Sequence, residues 1–368
     1  MLGIDTAILI MKTALHSTNP GPIVLFGSGE TSPSGRKIFD AIFSRLAATN
    51  PRGAALKVAI LETPAGFELN SAQVAGKVGD FISQRLQNFN PQVKLVPARR
   101  RGTPFSPDNE AILAPLFDAD LIFMGPGSPS YAVRQLDNSL AWQYLLVRHR
   151  LGAGLALASA ATIAISACAL PVYEIYKVGE EIHWKAGLDL LGAFGLPVVF
   201  VPHWNNTEGG EDLDTSRCFM GRERFEPLLS MLPGGQTVVG IDEKTGLLID
   251  FGVRLGTVLG SGSVTLIRDD QEKRYPSGES FDLDELGEYS LPEAGVGIAP
   301  GVWQAVLEQA SQRDQPNEPP KEVRELVVTR EDARRRKAWA EADDLRQRIT
   351  SMGWQVKDTP EGPVLEEI

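Results

Sequence analysis

Gly152-Ala-Gly-Leu-Ala-Leu-Ala158-Ser159-Ala160-Ala161-Thr162-Ile-Ala-Ile165 is the stretch on which the fold turns. Its first half is a short apolar run and its second half a small-residue helix, with one hydroxyl at the join. A fully buried parallel strand passing straight into a helix has that pattern. The chain must bend sharply there, and small neighbours let it do so without a clash. A serine on such an elbow presents its oxygen at the carboxyl edge of the sheet, beside the N–H of the next residue. Ser159 is therefore the candidate nucleophile. The plainer alternative is a small side chain that lets strand and helix pack closely.

The same alternation extends outward from the elbow. Ile23-Val-Leu-Phe26, Leu56-Lys-Val-Ala-Ile-Leu61, Val93-Lys-Leu-Val96 and Leu121-Ile-Phe-Met124 read as strands. Between them, apolar residues such as Ile38, Phe39, Ile42, Phe43 and Leu46 recur at helical spacing. Beyond the elbow, Pro197-Val-Val-Phe-Val-Pro202 and Thr237-Val-Val-Gly-Ile241 are further strands, and residues 247–267 hold short runs split by Gly. The fold class this implies is α/β: a doubly wound, mostly parallel sheet with antiparallel edge strands. Ligands in such folds sit beyond the carboxyl ends of the strands. Gly27-Ser-Gly29 and Gly125-Pro-Gly127 fall at that edge, although the first does not complete a dinucleotide fingerprint.

Composition narrows the function classes. With 43% hydrophobic and 23% charged residues over 368 positions, the chain suits one large domain and a small appendage. A net charge of -11 argues against a general nucleic-acid surface. Two cysteines, Cys168 and Cys218, make neither a disulfide framework nor a Cys-rich zinc site, which suits a reducing cytoplasm. The apolar patch Ala7-Ile-Leu-Ile-Met11 is too short to span a membrane, and Asp5 precedes it. Residues 1–20 read as a leader, with Met1 or Met11 as the start. The expected organisation is then a main domain over 21–308, a linker over 309–321 rich in Gln, Asp, Asn and Pro, and a helix–hairpin module over 322–368.

A serine nucleophile needs a base, a group to orient the base, and donors for the oxyanion. Of four histidines, His16 lies in the leader, His149 on a charged helix and His183 in a polar segment. His203 follows a buried strand and so lies at the edge that Ser159 occupies. It is the candidate base, against the alternative of a loop residue capping Asn205 or Asn206. Glu243 ends the next strand and is the candidate orienting acid. Strand alternation points its neighbour Asp242 the other way, and Glu208 and Asp214 in the loop after His203 are the fallback. The N–H groups of Gly127 and Ala160 are the candidate oxyanion donors.

These residues resemble the cyanophycinase and aspartyl dipeptidase (peptidase E) family of serine peptidases, which have the class I glutamine amidotransferase-like fold. The resemblance covers about residues 23–250 and rests on four segments in order. Phe123-Met-Gly-Pro-Gly127-Ser-Pro-Ser-Tyr-Ala-Val-Arg134-Gln-Leu136 is similar to the family's Gly-Gly-Gly-Asn-Thr loop and following helix. Ala158-Ser159-Ala160-Ala161 stands where the family has Thr-Ser-Ala-Gly. His203-Trp204 with Gly221-Arg222-Glu-Arg224-Phe225 resembles its His-Phe and Arg-Gly-Arg element, and Gly240-Ile-Asp-Glu243-Lys-Thr245 its Gly-Ile-Asp-Glu-x-Thr strand. The resemblance implies Ser159 as nucleophile, His203 as base and Glu243 as orienting acid, acting on peptide or isopeptide bonds next to aspartyl residues without a metal or cofactor. The substrate would be a small peptide or amide, and its binding residues are not implied.

The tail carries a second resemblance. Ala333-Arg-Arg-Arg-Lys337-Ala-Trp339-Ala-Glu-Ala342-Asp343-Asp-Leu345-Arg346 and Gly353-Trp354-Gln-Val-Lys-Asp358 look like the C-terminal end of cysteinyl-tRNA synthetases. The His-Ile-Gly-His and Lys-Met-Ser-Lys-Ser elements are missing, so aminoacylation is rejected. Thr329-Arg-Glu-Asp332 reads as a capping-box start of one helix that runs to Gly353. Arg334, Arg335, Arg336, Lys337, Arg346 and Arg348 could contact tRNA, against the alternative of a solvated helix face. Two functional readings follow. In one, the chain is a serine-type hydrolase. In the other, Leu157 and Ala161 crowd the elbow, Pro126 and Ser128 spoil the oxyanion loop, and a degraded fold serves as a binding protein whose tail recruits tRNA or a protein partner.

Overall fold

β1 (Ile23–Phe26) is apolar throughout because its two faces belong to two different cores. Val24 and Phe26 pack with Ile38, Phe39, Ile42 and Phe43 of α1 (Pro33–Thr49), which Ser32 caps by accepting the Gly35 N–H. Ile23 and Leu25 pack on the opposite face with Leu155, Leu157, Leu145 and Val239. A strand covered on both faces has no reason to alternate with polar residues, and the unbroken apolar runs follow from that. This computed structural model describes residues 19–50, 55–313, 319–359 and 362–367. All but the last two residues of the predicted leader, His16 included, lie outside the described residues.

The main remaining elements of the first compact unit, residues 1–308, follow in chain order. They are β2 (Lys57–Leu61), α2 (Ser71–Arg85), β3 (Gln92–Val96), β4 (Leu121–Met124), α3 (Pro129–Leu136), α4 (Leu140–Arg150), β5 (Gly154–Ala158) and α5 (Ala160–Ala164). Then come β6 (Val198–Val201), α6 (Gly221–Ser230), β7 (Thr237–Ile241), β8 (Thr245–Asp250), β9 (Leu255–Gly260), β10 (Ser263–Arg268), β11 (Gln271–Pro276) and β12 (Ser280–Asp282). A short ribbon pairs Cys168–Ala169 with Lys185–Ala186. The main sheet has eight strands in the order β12-β9-β8-β1-β5-β4-β2-β3. The five from β1 to β3 run parallel, and β8, β9 and β12 add antiparallel to one edge.

One expectation needs correcting. The strand that precedes His203 does not extend the main sheet. β6 and β7 pair in parallel and, with β10 and β11, form a separate four-stranded sheet. Its strands are equally apolar, so periodicity carried no sign of the division. His149 also departs from its expected place on a charged helix face. It is wholly buried against the stacked pair of Phe194 and Phe251, and Arg150 lies over the Phe194 ring.

Burial, with the Arg150 charge added, pushes the His149 imidazole down to about 3, and the nearby Ala153 backbone offsets only part of this. Neither ring nitrogen makes a well-formed hydrogen bond. The unfolded imidazole protonates at its ordinary 6.5, so the unfolded chain binds more protons between 6.5 and about 3. This contribution to stability is flat above that window and falls within it by up to about 1.4 kcal/mol per pH unit. Urea unfolding should therefore show a midpoint that drops from pH 7 to pH 5, and His149→Phe should flatten that dependence.

The second unit, residues 309–368, begins where a linker was expected. The preceding helix, α7 (Pro300–Arg313), continues through the first five of those residues, and α8 (Lys321–Arg335) opens directly after Pro320. Thr329 is thus inside α8 rather than at a cap, and its hydroxyl bonds the Glu325 carbonyl. The predicted single helix is broken: Lys337 takes φ 58° and the Ala338 N–H returns to the Ala333 carbonyl, a Schellman-type end without glycine. α9 (Trp339–Ser351) and the hairpin of β13 (Trp354–Thr359) and β14 (Gly362–Glu367) follow. Val323, Leu326, Leu345, Ile349, Trp354 and Val356 form the core of this unit. Arg330 is buried beside it and holds Asp358 with both terminal nitrogens, at 2.9 and 3.0 Å.

Candidate active site

Ser159 stands between β5 and α5 with φ 51° and ψ −108°. A side chain other than glycine rarely adopts this conformation, and it persists only where the surroundings impose it. Here they do. Ala158 ends a strand fixed by β1 on one side and β4 on the other, and the Ile163 N–H bonds the Ser159 carbonyl to start the helix. Thr162, wholly buried, ties the turn together by donating to the Leu157 carbonyl at 2.9 Å. The elbow forms with Leu157 and Ala161 in place, and both side chains are buried in the apolar core.

His203 follows β6 and also has a positive φ, 52°. Its N–H donates to the Gly27 carbonyl, and its carbonyl accepts from Asn206 and Cys218. The ring therefore leaves a backbone bonded at both ends, and its Nε2 lies 3.0 Å from Ser159 Oγ. Nδ1 lies 3.0 Å from Glu243 Oε1. The three side chains named from the sequence thus form one continuous chain of hydrogen bonds. Glu243 follows β7 on a loop held from two directions: its N–H donates to Asn205 Oδ1 at 2.7 Å, and Asn206 Nδ2 donates to its Oε1 at 3.0 Å. The hydrogen bond from His203 first, and that from Asn206, hold the Glu243 carboxyl below its ordinary range against a smaller opposing effect of burial.

The competing carboxylates are accounted for. Asp242 faces away, as alternation requires, and bonds the Ser263 N–H at 2.9 Å near Arg274. Asp214 accepts the N–H groups of Ser216 and Arg222, and the Ser216 side chain first, with the Arg222 N–H after it, pushes its carboxyl down to about 2. Among the described residues, Glu208 meets this network only through its backbone N–H, on Asn206 Oδ1. Neither fallback orients His203.

Gly27 proves to be a packing device. A Cβ there would sit 2.1 Å from the Asp242 carbonyl oxygen, so only glycine lets the β1 turn lie against the Glu243 loop. Gly127 has φ 146° and would meet the Pro64 carbonyl at 2.0 Å, which fixes the loop after β4. Met124 pairs with Leu157, so that loop and the elbow leave the sheet side by side. Ala160 opens α5, where an N–H has no acceptor four residues back in a helix. Ser128 caps α3 by accepting the Tyr131 N–H, so its departure from the family's Asn has a structural use. Sequence reasoning missed Asn205 and Asn206 as supports of Glu243. An Asn pair two residues after the base, in His203-Trp204-Asn205-Asn206, was the available signal.

Comparison with solved structures bears on the fold of the first unit. A peptidase from an acI-B1 Actinobacterium superposes with a TM-score of 0.57 at 23% identity, covering 72% of this chain and 97% of that one. The first unit has a peptidase's fold. A putative peptidase E protein from Listeria monocytogenes EGD-e covers 70% of this chain and 99% of its own at 13% identity, with a TM-score of 0.40 that is too low to add to this. Residues 317–362 match the family described as the cysteinyl-tRNA ligase anticodon binding domain. Within that tail, the cysteine–tRNA ligase of Rubrobacter xylanophilus is 54% identical over 48 residues, 13% of this chain and 10% of the ligase. Cysteine–tRNA ligase 1 of Burkholderia lata is 49% identical over 43 residues, 12% and 9% of the two chains. The chain spans about a tenth of the length of these curated relatives. Among the described residues no helix is long and apolar enough to cross a membrane.

Proposed function

We propose that the first unit is a serine-type hydrolase of small peptides or amides, α- or β-aspartyl bonds included. The observation that carries the reading is the pair of 3.0 Å hydrogen bonds joining Ser159, His203 and Glu243 on an elbow with a positive φ. In this reading His203 Nε2 takes the Ser159 proton as Oγ attacks the carbonyl carbon. The Ala160 and Gly127 N–H groups receive the oxyanion, and Nε2 returns the proton to the departing amine. Water then repeats the sequence on the acyl-serine. Glu243 accepts a hydrogen bond from Nδ1–H throughout and stabilises the imidazolium.

A panel of dipeptides that includes α- and β-aspartyl members tests this, with free amine as the readout. Release that persists in excess chelator and is lost in His203→Ala agrees with the reading; release abolished by the chelator contradicts it. Asn206→Ala frees the Glu243 carboxylate to turn from Nδ1. It should lower kcat by about 10- to 100-fold, the scale of a hydrogen bond to a charged group, with KM little changed.

A second proposal concerns the tail, which the anticodon-binding match supports as a contact for tRNA or a protein partner. Arg334, Arg335 and Arg336 pair with Asp358, Asp332 and Glu341. Lys337, Arg346 and Arg348 have no such ion pair among the described residues and would carry the contact. A strongly salt-dependent affinity for tRNA that is lost on deleting residues 322–368 would support it; an affinity unchanged by the deletion would overturn it.

A further inference from the structure

The turn after β2 carries a buried acid that the reaction does not use. Glu62 follows Leu61 directly, and its side chain is only 2% exposed. A carboxylate so far from water needs its charge balanced and its oxygens bonded. Arg99, in the loop after β3, donates through Nε to Glu62 Oε2 at 2.6 Å. Ser71, which opens α2, donates to the same oxygen at 3.2 Å. The Arg99 guanidinium is itself seated, 4.7 Å over the Phe105 ring. Thr63 ties the two loops a second time, its hydroxyl donating to the Ala98 carbonyl at 2.6 Å.

Gly127 lies against the turn held in this way. The Pro64 carbonyl accepts the Ser128 N–H at 2.9 Å, and its oxygen is the atom that a Cβ on Gly127 would strike. Gly127 leads through Ser128 into α3, where Tyr131 donates its hydroxyl to the Arg99 carbonyl at 2.8 Å. Glu62, Arg99, Tyr131, Ser128 and Pro64 therefore close a ring of contacts around the Gly127 peptide. Arg99 enters that ring twice, through its guanidinium on one side and its carbonyl on the other. Among the described residues the Gly127 N–H has no backbone acceptor, so the ring fixes a donor and leaves it open.

We propose that Glu62 and Arg99 are positioning residues, which aim the Gly127 N–H at the oxyanion formed when Ser159 attacks. The proposal rests on the hydrolase reading and adds to it the residues that set one of its donors. An oxyanion donor is effective because it is aimed before the charge develops. A misplacement of about 1 Å costs on the order of a hundredfold in rate. With Glu62 bonded to Arg99, the turn that carries Pro64 cannot swing away from the β3 loop, and Ser128 keeps its acceptor.

The rate at which a fluorophosphonate labels Ser159 tests this, because the phosphoryl oxygen takes the oxyanion's place in that transition state. It is measured across pH in the full-length protein, with urea unfolding alongside. Glu62→Gln keeps the side chain's shape, and Arg99, 27% exposed, still reaches water. Tyr131→Phe disturbs no charge and removes only the hydroxyl on the Arg99 carbonyl. Each should lower the plateau rate about ten- to hundredfold and leave the pH midpoint, which reports His203, unmoved. The double variant should lose little more than the worse single one, since either change opens the same ring. Plateau rates that stay at the wild-type value while the urea midpoint falls would make the ring merely structural and overturn the proposal. A moved pH midpoint, or losses that multiply in the double variant, would overturn it as well. In those cases labelling of the wild-type protein leaves the hydrolase reading standing; a wild-type protein that takes no label removes both.

Discussion

Replacing Ser159 by alanine is expected to lower kcat/KM by about ten-thousand- to million-fold for any amide the wild-type protein cleaves. The size follows from what is lost: the only hydroxyl among the described residues in hydrogen-bond reach of His203 Nε2 disappears, and with it the covalent route. The residual rate would come from binding and from the oxyanion donors alone. The substitution itself is mild. Alanine suffers no more than serine at φ 51°, and the hydroxyl makes one hydrogen bond that is only partly buried. Stability should change by no more than about 1.5 kcal/mol, so unfolding in urea run alongside the kinetics separates lost chemistry from lost structure.

Glu243→Gln is expected to cost about a hundred- to ten-thousand-fold in kcat with KM nearly unchanged. The side chain keeps its shape, and the loop is still held by the Glu243 N–H on Asn205 Oδ1, a bond that substitution does not touch. What changes is the acceptor. Oε1 takes hydrogen bonds from both His203 Nδ1 and Asn206 Nδ2. A neutral amide there cannot balance an imidazolium, and if its NH₂ turns toward Nδ1 it favours the wrong tautomer. A kcat within threefold of wild type would mean that Glu243 merely shapes the loop.

Much of this arrangement could be read from the residues because each functional group ends a buried strand. Ser159 follows Gly154–Ala158, His203 follows Val198–Val201 one proline later, and Glu243 lies two residues past Ile241. Two-residue alternation alone chose Glu243 over Asp242, and the structure turns Asp242 toward Ser263. The division into two sheets was illegible, because β6 buried in a four-stranded sheet is as apolar as β5 buried in an eight-stranded one. His149 was misread for a related reason. Its neighbours Arg148 and Arg150 mark a solvated face in most helices, but here Arg148 bonds the Ala119 carbonyl and Arg150 covers Phe194. The break in the tail left no trace either. Lys337 takes the left-handed position where a glycine would have announced it. Likewise the need for Gly27 arises from the Asp242 carbonyl, distant in sequence, which no local pattern encodes.

The claim on which the rest depends is that Ser159 is a nucleophile activated by His203. It is tested most directly by treating the full-length protein with a fluorophosphonate and locating the adduct by peptide mass. The account predicts a single adduct on the peptide that carries Ser159, formed at a rate that falls sharply in His203→Ala and absent from Ser159→Ala. No adduct on the wild-type protein, or the same adduct on Ser159→Ala, would contradict it.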